Sequence, residues 1–273
     1  MSKLVFKSFS SGSCGNCYFL ALREEDGTVS AGILIDAGVS IRRLKKELGA
    51  DGFTLDDFSA VLVTHDHMDH IRSLGSYCKH LGKPVWASPA LIRALSHHMM
   101  CYEYLPGCKN VLEADAWNEI IPGKVSVRFF VVPHDASETV GFAIRIGDHF
   151  YTHITDCGRM TEEALAFCSQ ADSVTIESNY DNWMLDNGSY PYELKVRIRN
   201  GNGHMSNDEC ACAIETFHHE GLRNLFLCHL SENNNTPEKA YESARAALAK
   251  VDSEGKVRLQ TLPRQTPSPL IIL

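Results

Sequence analysis

The chain predicts an α/β fold in a single domain. Three observations carry this. Short apolar strand patterns alternate with amphipathic helix patterns from end to end, five of the strands finish in His or Asp, and no linker, repeat or low-complexity tract divides residues 1–273. At 273 residues and 44% hydrophobic content the chain can bury one large core.

Residues 3–9 alternate as a strand and stop at Ser10-Ser11-Gly12-Ser13-Cys14-Gly15-Asn16-Cys17. Small side chains and free N–H groups let such a loop approach a ligand closely. It is no nucleotide P-loop, because it lacks the Gly-Lys-Ser/Thr ending and leads into a strand, Tyr18 to Leu22. Cys14-x-x-Cys17 has no second cysteine pair to complete a zinc site, so the reading is a tight turn with incidental thiols. Residues 31–35 form a buried strand ending in Asp36, and Ser40 caps a helix over 41–48. A carboxylate at that strand mouth suits the task of orienting a neighbouring imidazole from behind.

Val61-Leu62-Val63-Thr64 then runs into His65-Asp66-His67-Met68-Asp69-His70. Imidazole and carboxylate are ligands for Zn, Mn or Fe. His at i and i+2, then Asp and His at i+4 and i+5, cannot converge on one ion without strain. They can serve two adjacent ions, His65 and His67 on one, Asp69 and His70 on the other. Beyond this motif the spacing predicts a helix over 71–82, a strand at 85–87 and a helix over 89–99, with His80, His97 and His98 on helix surfaces. Strands at 109–113 and 124–132 follow, the second delivering His134. A hairpin of 139–146 and 149–155 turns at Gly147-Asp148 and ends at Asp156, with His153 pointing along the strand and left out of the ligand set. Helix 160–168 and strand 173–177 lead to a polar segment with Trp183, Tyr190, Tyr192 and a basic cluster over 194–199. The loop Gly201-Asn202-Gly203-His204 precedes a helix over 208–219 capped by Ser206 or Asn207. A strand ending at His229, a helix over 237–249 and a strand at 256–262 close the chain.

The formal charge is -8, from 34 acidic and 26 basic residues. That balance does not announce nucleic-acid binding, yet a local basic rim and bound metals can reverse the potential at a site. No apolar run reaches the ~18 residues a membrane span requires. The start is too short in apolar length for a signal peptide, and ten Cys without one point to reduced thiols in the cytoplasm.

The strand tips with Asp36, then His65, His67, Asp69 and His70, then His134, Asp156 and His229, resemble the five motifs of the metallo-β-lactamase superfamily over residues 5–230. That resemblance implies an αββα four-layer sandwich, two packed mixed sheets flanked by helices with metals at one edge. It also implies roles: His65, His67 and His134 on a first divalent ion, Asp69, His70 and His229 on a second, and Asp156 bridging. The boxes Ser11-Gly12-Ser13-x-Gly15-Asn16, Glu177-Ser178-Asn179-Tyr180-Asp181 and Gly203-His204-x-Ser206-Asn207 look most like the bacterial single-domain YycJ/WalJ-type branch, which is regarded as a 5′-to-3′ DNA exonuclease group linked to mismatch repair. Cys14 and Cys17 depart from the small residues common there.

The implied chemistry is attack on a phosphodiester by a hydroxide shared between two metals. Asp69 binds the second metal and accepts a hydrogen bond from the nucleophile. His204 is the candidate acid for the departing sugar oxygen, and Asn16, Asn179 and Ser206 are candidate donors to phosphate. DNA is favoured over RNA as the partner. The alternative is a thioester or lactone hydrolase with the same dinuclear site. A diiron redox protein would carry Glu where this chain has His67.

Overall fold

A computed structural model describes residues 2–273. Its first sheet starts with an antiparallel run, β1 (Lys3–Gly12), β2 (Gly15–Arg23) and β3 (Val29–Ile35), and continues in parallel through β4 (Ala60–Leu62), β5 (Val85–Ala87) and β6 (Lys109–Val111). The second sheet repeats that plan. β7 (Asn118–Ile121), β8 (Val125–Val132), β9 (Thr139–Ile146) and β10 (His149–His153) are antiparallel, and β11 (Ser173–Glu177), β12 (Asn224–Cys228) and β13 (Arg258–Thr261) add in parallel. The last strand, β14 (Ile271–Ile272), returns to pair with β1, so each sheet has seven strands.

Parallel neighbours need crossovers, and helices supply them. In the first half these are α1 (Ile41–Ala50), α2 (Met68–Ile71), α3 (Leu74–Leu81) and α4 (Pro89–Leu95). In the second they are α5 (Glu162–Cys168), α6 (Asn182–Asn187), α7 (Tyr192–Arg199), α8 (Asn207–Phe217) and α9 (Pro237–Val251).

Strand alternation sorts the core into layers. Phe6, Tyr18, Leu20, Ile33 and Ile35 face the second sheet and meet Phe142, Ile144, Tyr151 and Phe226. Their neighbours Val5, Phe19 and Leu34 face the other way, onto Leu44 and Leu48 of α1, Leu74 and Tyr77 of α3 and Leu91 of α4. On the opposite side Val174, Ile176, Leu225 and Leu227 meet Ala164 of α5, Ile214 and Phe217 of α8 and Ala244 of α9. Strands buried on both faces read as apolar runs, as residues 31–35 and 225–228 do. The outcome is the four-layer αββα sandwich expected from the resemblance.

Some boundaries differ from expectation. The helix expected over 71–82 starts only at Leu74, after a separate short helix, Met68–Ile71, and a break at Ser73, whose N–H goes to the carbonyl of Ala37 rather than up the helix. The helix from 89 ends at Leu95, where the Ser96 hydroxyl bonds back to the Ile92 carbonyl and the chain turns. The helix expected from 160 begins at Glu162 because Thr161 accepts the Ala164 N–H as its cap. β7, α6 and the two-residue β14 went unforeseen, being short and partly exposed.

Candidate metal centre

Five of the strand ends converge at one edge of the sandwich. At three of them a residue directly past the strand, or three residues past it for Asp156, is not glycine yet has a positive φ: Asp36 at 63°, Asp156 at 49° and His229 at 52°. Asp and His are among the side chains that tolerate this left-handed region best. The turn swings each side chain off the strand line and into a common space. Gly38 serves it differently. A Cβ there would lie 1.9 Å from the Asp69 carbonyl oxygen and 2.4 Å from the Asn16 nitrogen, so glycine alone lets the ligand loop close onto the first hairpin.

Four groups of ligand atoms result, each within 4.8 Å of one another. Two are His65, His70 and Asp156, and Asp156, Glu177, His204 and His229. The two that match the expected sets are His65, His67 and His134, and Asp69, His70 and His229. Nδ1 of His67 lies 3.3 Å from Nε2 of His134. In the other group, Nε2 of His229 lies 3.6 Å from Oδ2 of Asp69. Asp156 stands between them, Oδ1 3.7 Å from Nε2 of His134 and Oδ2 3.1 Å from Nε2 of His70. The structure thus brings together all seven residues expected as ligands.

The arrangement fits divalent cations on its own evidence. Nε2 of His65 and Nε2 of His229 are buried with no hydrogen-bond partner, and burying an unpaired polar atom is costly. Burial opposes charge on Asp69 and Asp156, but neighbouring His70 and His229 overcome it and hold both carboxyls well below the usual range. Burial likewise disfavours charge on His229, yet Asp156, Asp69 and Glu177 push its pKa up to about 10. His70 is raised by Asp36 and Asp69 in the same way, while burial and His70 depress His65. The carboxylates call for positive charge. Divalent cations would supply it and leave the imidazoles neutral as ligands.

Behind the ligands lies an orienting layer. Oδ2 of Asp36 accepts from Nδ1 of His70 at 2.7 Å, and the same carboxylate accepts from the backbone N–H and hydroxyl of Thr64. Nδ1 of His134 donates to the Gly203 carbonyl at 2.7 Å. A Cβ on Gly203 would lie 2.3 Å from the carbonyl oxygens of Arg197 and Ile198, so this glycine serves contact with α7 rather than approach to a substrate. Asn16 donates to Oδ2 of Asp69 at 3.0 Å, with Nε2 of His70 2.8 Å from its amide nitrogen. Asn179 donates to the His229 carbonyl at 2.7 Å. Ser206, expected to donate to phosphate, is not brought to the site. Its buried hydroxyl accepts the Glu209 N–H and donates to the Glu209 carboxylate in a capping box.

Glu177 was not singled out as a site residue. It is fully buried at the end of β11, and Oε1 accepts from Nδ1 of both His204, at 2.8 Å, and His229, at 2.9 Å. Oε2 accepts the N–H groups of Cys157 and Met205. A buried strand ending in a carboxylate is the signal that found Asp36, and it applies equally here. His204 lies 5.0 Å ring to ring from His134 and 5.3 Å from His229. Burial lowers its basicity, but Glu177 and Asp156 outweigh this and raise it above the ordinary imidazole value. His153 stays outside the ligands, buried between Tyr18 and Tyr151 with its pKa lowered to about 3 by burial and His70.

A family model of the beta-lactamase superfamily domain matches residues 32–230. The chain belongs to the metallo-β-lactamase superfamily. Within it the chain is 29% identical over 254 residues to the exodeoxyribonuclease WalJ of Streptococcus pneumoniae, spanning 92% of this chain and 91% of that one. It is 30% identical over 245 residues to the exodeoxyribonuclease YycJ of Bacillus anthracis, spanning 90% and 89%. The fold matches that of the metallo-β-lactamase fold protein YhfI of Bacillus subtilis with a TM-score of 0.69 at 16% identity, over 100% of both chains.

Proposed function

We propose that this chain hydrolyses the phosphodiester bonds of DNA from a 5′ end, with two divalent metal ions held by Asp156 and the six residues around it. The observation that carries this reading is the placement of His204, an imidazole beyond the seven expected ligands whose Nδ1 is engaged by buried Glu177 and which lines an open pocket. A sugar alkoxide is a poor leaving group and needs a proton, whereas a thiolate leaves unaided, so the acid suits a phosphodiester better than a thioester. The names of the curated relatives, both exodeoxyribonucleases, support DNA over RNA. The ten unpaired thiols suit a reducing compartment such as the cytoplasm.

His65, His67 and His134, with Asp69, His70, His229 and Asp156, would hold divalent ions, whose chemistry would be to polarise the phosphoryl oxygens and lower the pKa of water towards neutrality. The mixed imidazole and carboxylate set accepts Zn, Mn or Fe. Asp69, fixed by Asn16, accepts a hydrogen bond from the attacking water. His204 passes a proton from Nε2 to the departing sugar oxygen, while Glu177 holds its Nδ1–H and stabilises the cationic ring before transfer.

The test is to incubate metal-reconstituted protein with 5′- and 3′-labelled DNA, RNA and a generic thioester. Metal-dependent release of nucleotides from the 5′ end of DNA is expected, abolished by chelator. Rapid thioester hydrolysis with no action on any nucleic acid would overturn the reading.

A further inference from the structure

Beside His204, residues of the 190–204 stretch, together with Ser13, Asp135, Asn179 and Ser231, line an open cavity of about 170 Å³. Its apolar wall is Tyr190, Leu194 and Ile198, and Arg197 lies at the rim. The wall is preformed, because Tyr190 and Leu194 pack on a cluster of Tyr180, Leu185 and Ile198. Arg197 bonds Asp135 through Nε, and the other oxygen of that carboxylate lies 3.5 Å from Nε2 of His134. The guanidinium therefore stands one side chain away from the first ligand group. Its terminal amino groups have no hydrogen-bond partner among the described residues.

We propose that this cavity receives the terminal nucleotide of the strand under digestion, its base against Tyr190 and Leu194 and its 5′-phosphate facing Arg197. The inference rests on the exonuclease reading and deepens it. When water adds to phosphorus and the bond from phosphorus to the 3′ oxygen breaks, the terminal nucleotide departs and the shortened strand keeps the phosphate. The water gives up one proton to solvent, and the departing 3′ oxygen takes one from His204. The acid must then stand on the terminal nucleotide's side of phosphorus, and the cavity that His204 lines lies on that side. An apolar wall takes a base of any identity, since every base presents a flat face. Arg197 adds the cation suited to a terminal phosphate.

The experiment compares two substrates in the metal-loaded protein: 5′-phosphorylated DNA and bis(4-nitrophenyl) phosphate, which has neither sugar nor terminal phosphate. Leu194→Trp fills the cavity, and Tyr190→Ala removes part of its wall. The ratio of DNA to aryl-diester turnover, which is insensitive to the fraction of active protein, is expected to fall by about 10-fold or more in each. Inhibition of aryl-diester hydrolysis by thymidine 5′-monophosphate should weaken in parallel, and Arg197→Ala should abolish the advantage of that nucleotide over thymidine. Unchanged ratios together with unchanged inhibition would overturn the assignment of the cavity. Wild-type protein that splits the aryl diester but leaves DNA intact would instead overturn the exonuclease reading.

Discussion

One oxygen of Glu177 serves two imidazoles, that of His204 and that of His229, so the proton donor and a metal ligand are coupled through a single carboxylate. Their separate duties can be told apart by substitution. His204→Ala should retain both metals and lose on the order of 10²–10⁴ in turnover on DNA, with a much smaller loss on a nitrophenyl ester whose leaving group needs no proton. Equal losses on the two substrates would remove His204 from the role of acid. Glu177→Gln should in addition weaken metal binding at the His229 site by about 10–100-fold, measured by competition with a chromogenic chelator. The five histidines and two aspartates of the central motif and later tips were legible because their residue types are scarce at the ends of apolar strands. Glu177 was hidden because its partners lie 27 and 52 residues further along the chain, and only the folded sheet order brings them to it.

Among the elements, α8 shows how a polar residue near a site is claimed by local structure. Ser206 carries the sequence signature of a capping box, with Glu209 three residues on, and the hydroxyl is consumed there. Ser206→Ala should therefore lower stability by about 1 kcal/mol in urea unfolding and leave turnover per folded molecule near wild type. A selective loss of DNA turnover with unchanged stability would restore the phosphate-binding role. Helix and strand existence followed from periodicity almost throughout. The break at Ser73 did not, because the carbonyl that captures its N–H belongs to Ala37, at the far end of a crossover.

At the scale of the whole molecule, two similarly wound sheets present their strand ends at one edge, and the core lies in the layers behind. Metal removal should accordingly leave the sandwich folded, with an unaltered far-ultraviolet circular dichroism spectrum and a lower melting temperature, since ions that bind only the native state stabilise it by mass action. Elemental analysis of gently purified protein is expected to approach two transition-metal ions per chain, and His67→Ala should reduce that number. Saturation at a single ion under metal excess would defeat the bridging position of Asp156. The layer order was readable only through the five-motif resemblance. Periodicity alone leaves open which sheet face meets which helix, since strands buried on both sides show no polar face to orient them.

Left-handed backbone at Asp36, Asp156 and His229 carries an evolutionary consequence. Each such non-glycine residue costs roughly 1–2 kcal/mol relative to relaxed backbone, a sizeable share of the margin by which a domain is stable. In a laboratory lineage kept free of divalent metal and selected for heat resistance alone, with no demand for turnover, Asp156 and His229 should be among the first to drift to glycine, while Asp36 is kept by the bonds its carboxylate takes from Thr64 and His70. A lineage held to activity should keep the acids and the imidazole and gather its stabilising changes elsewhere, in the helices and loops remote from that edge.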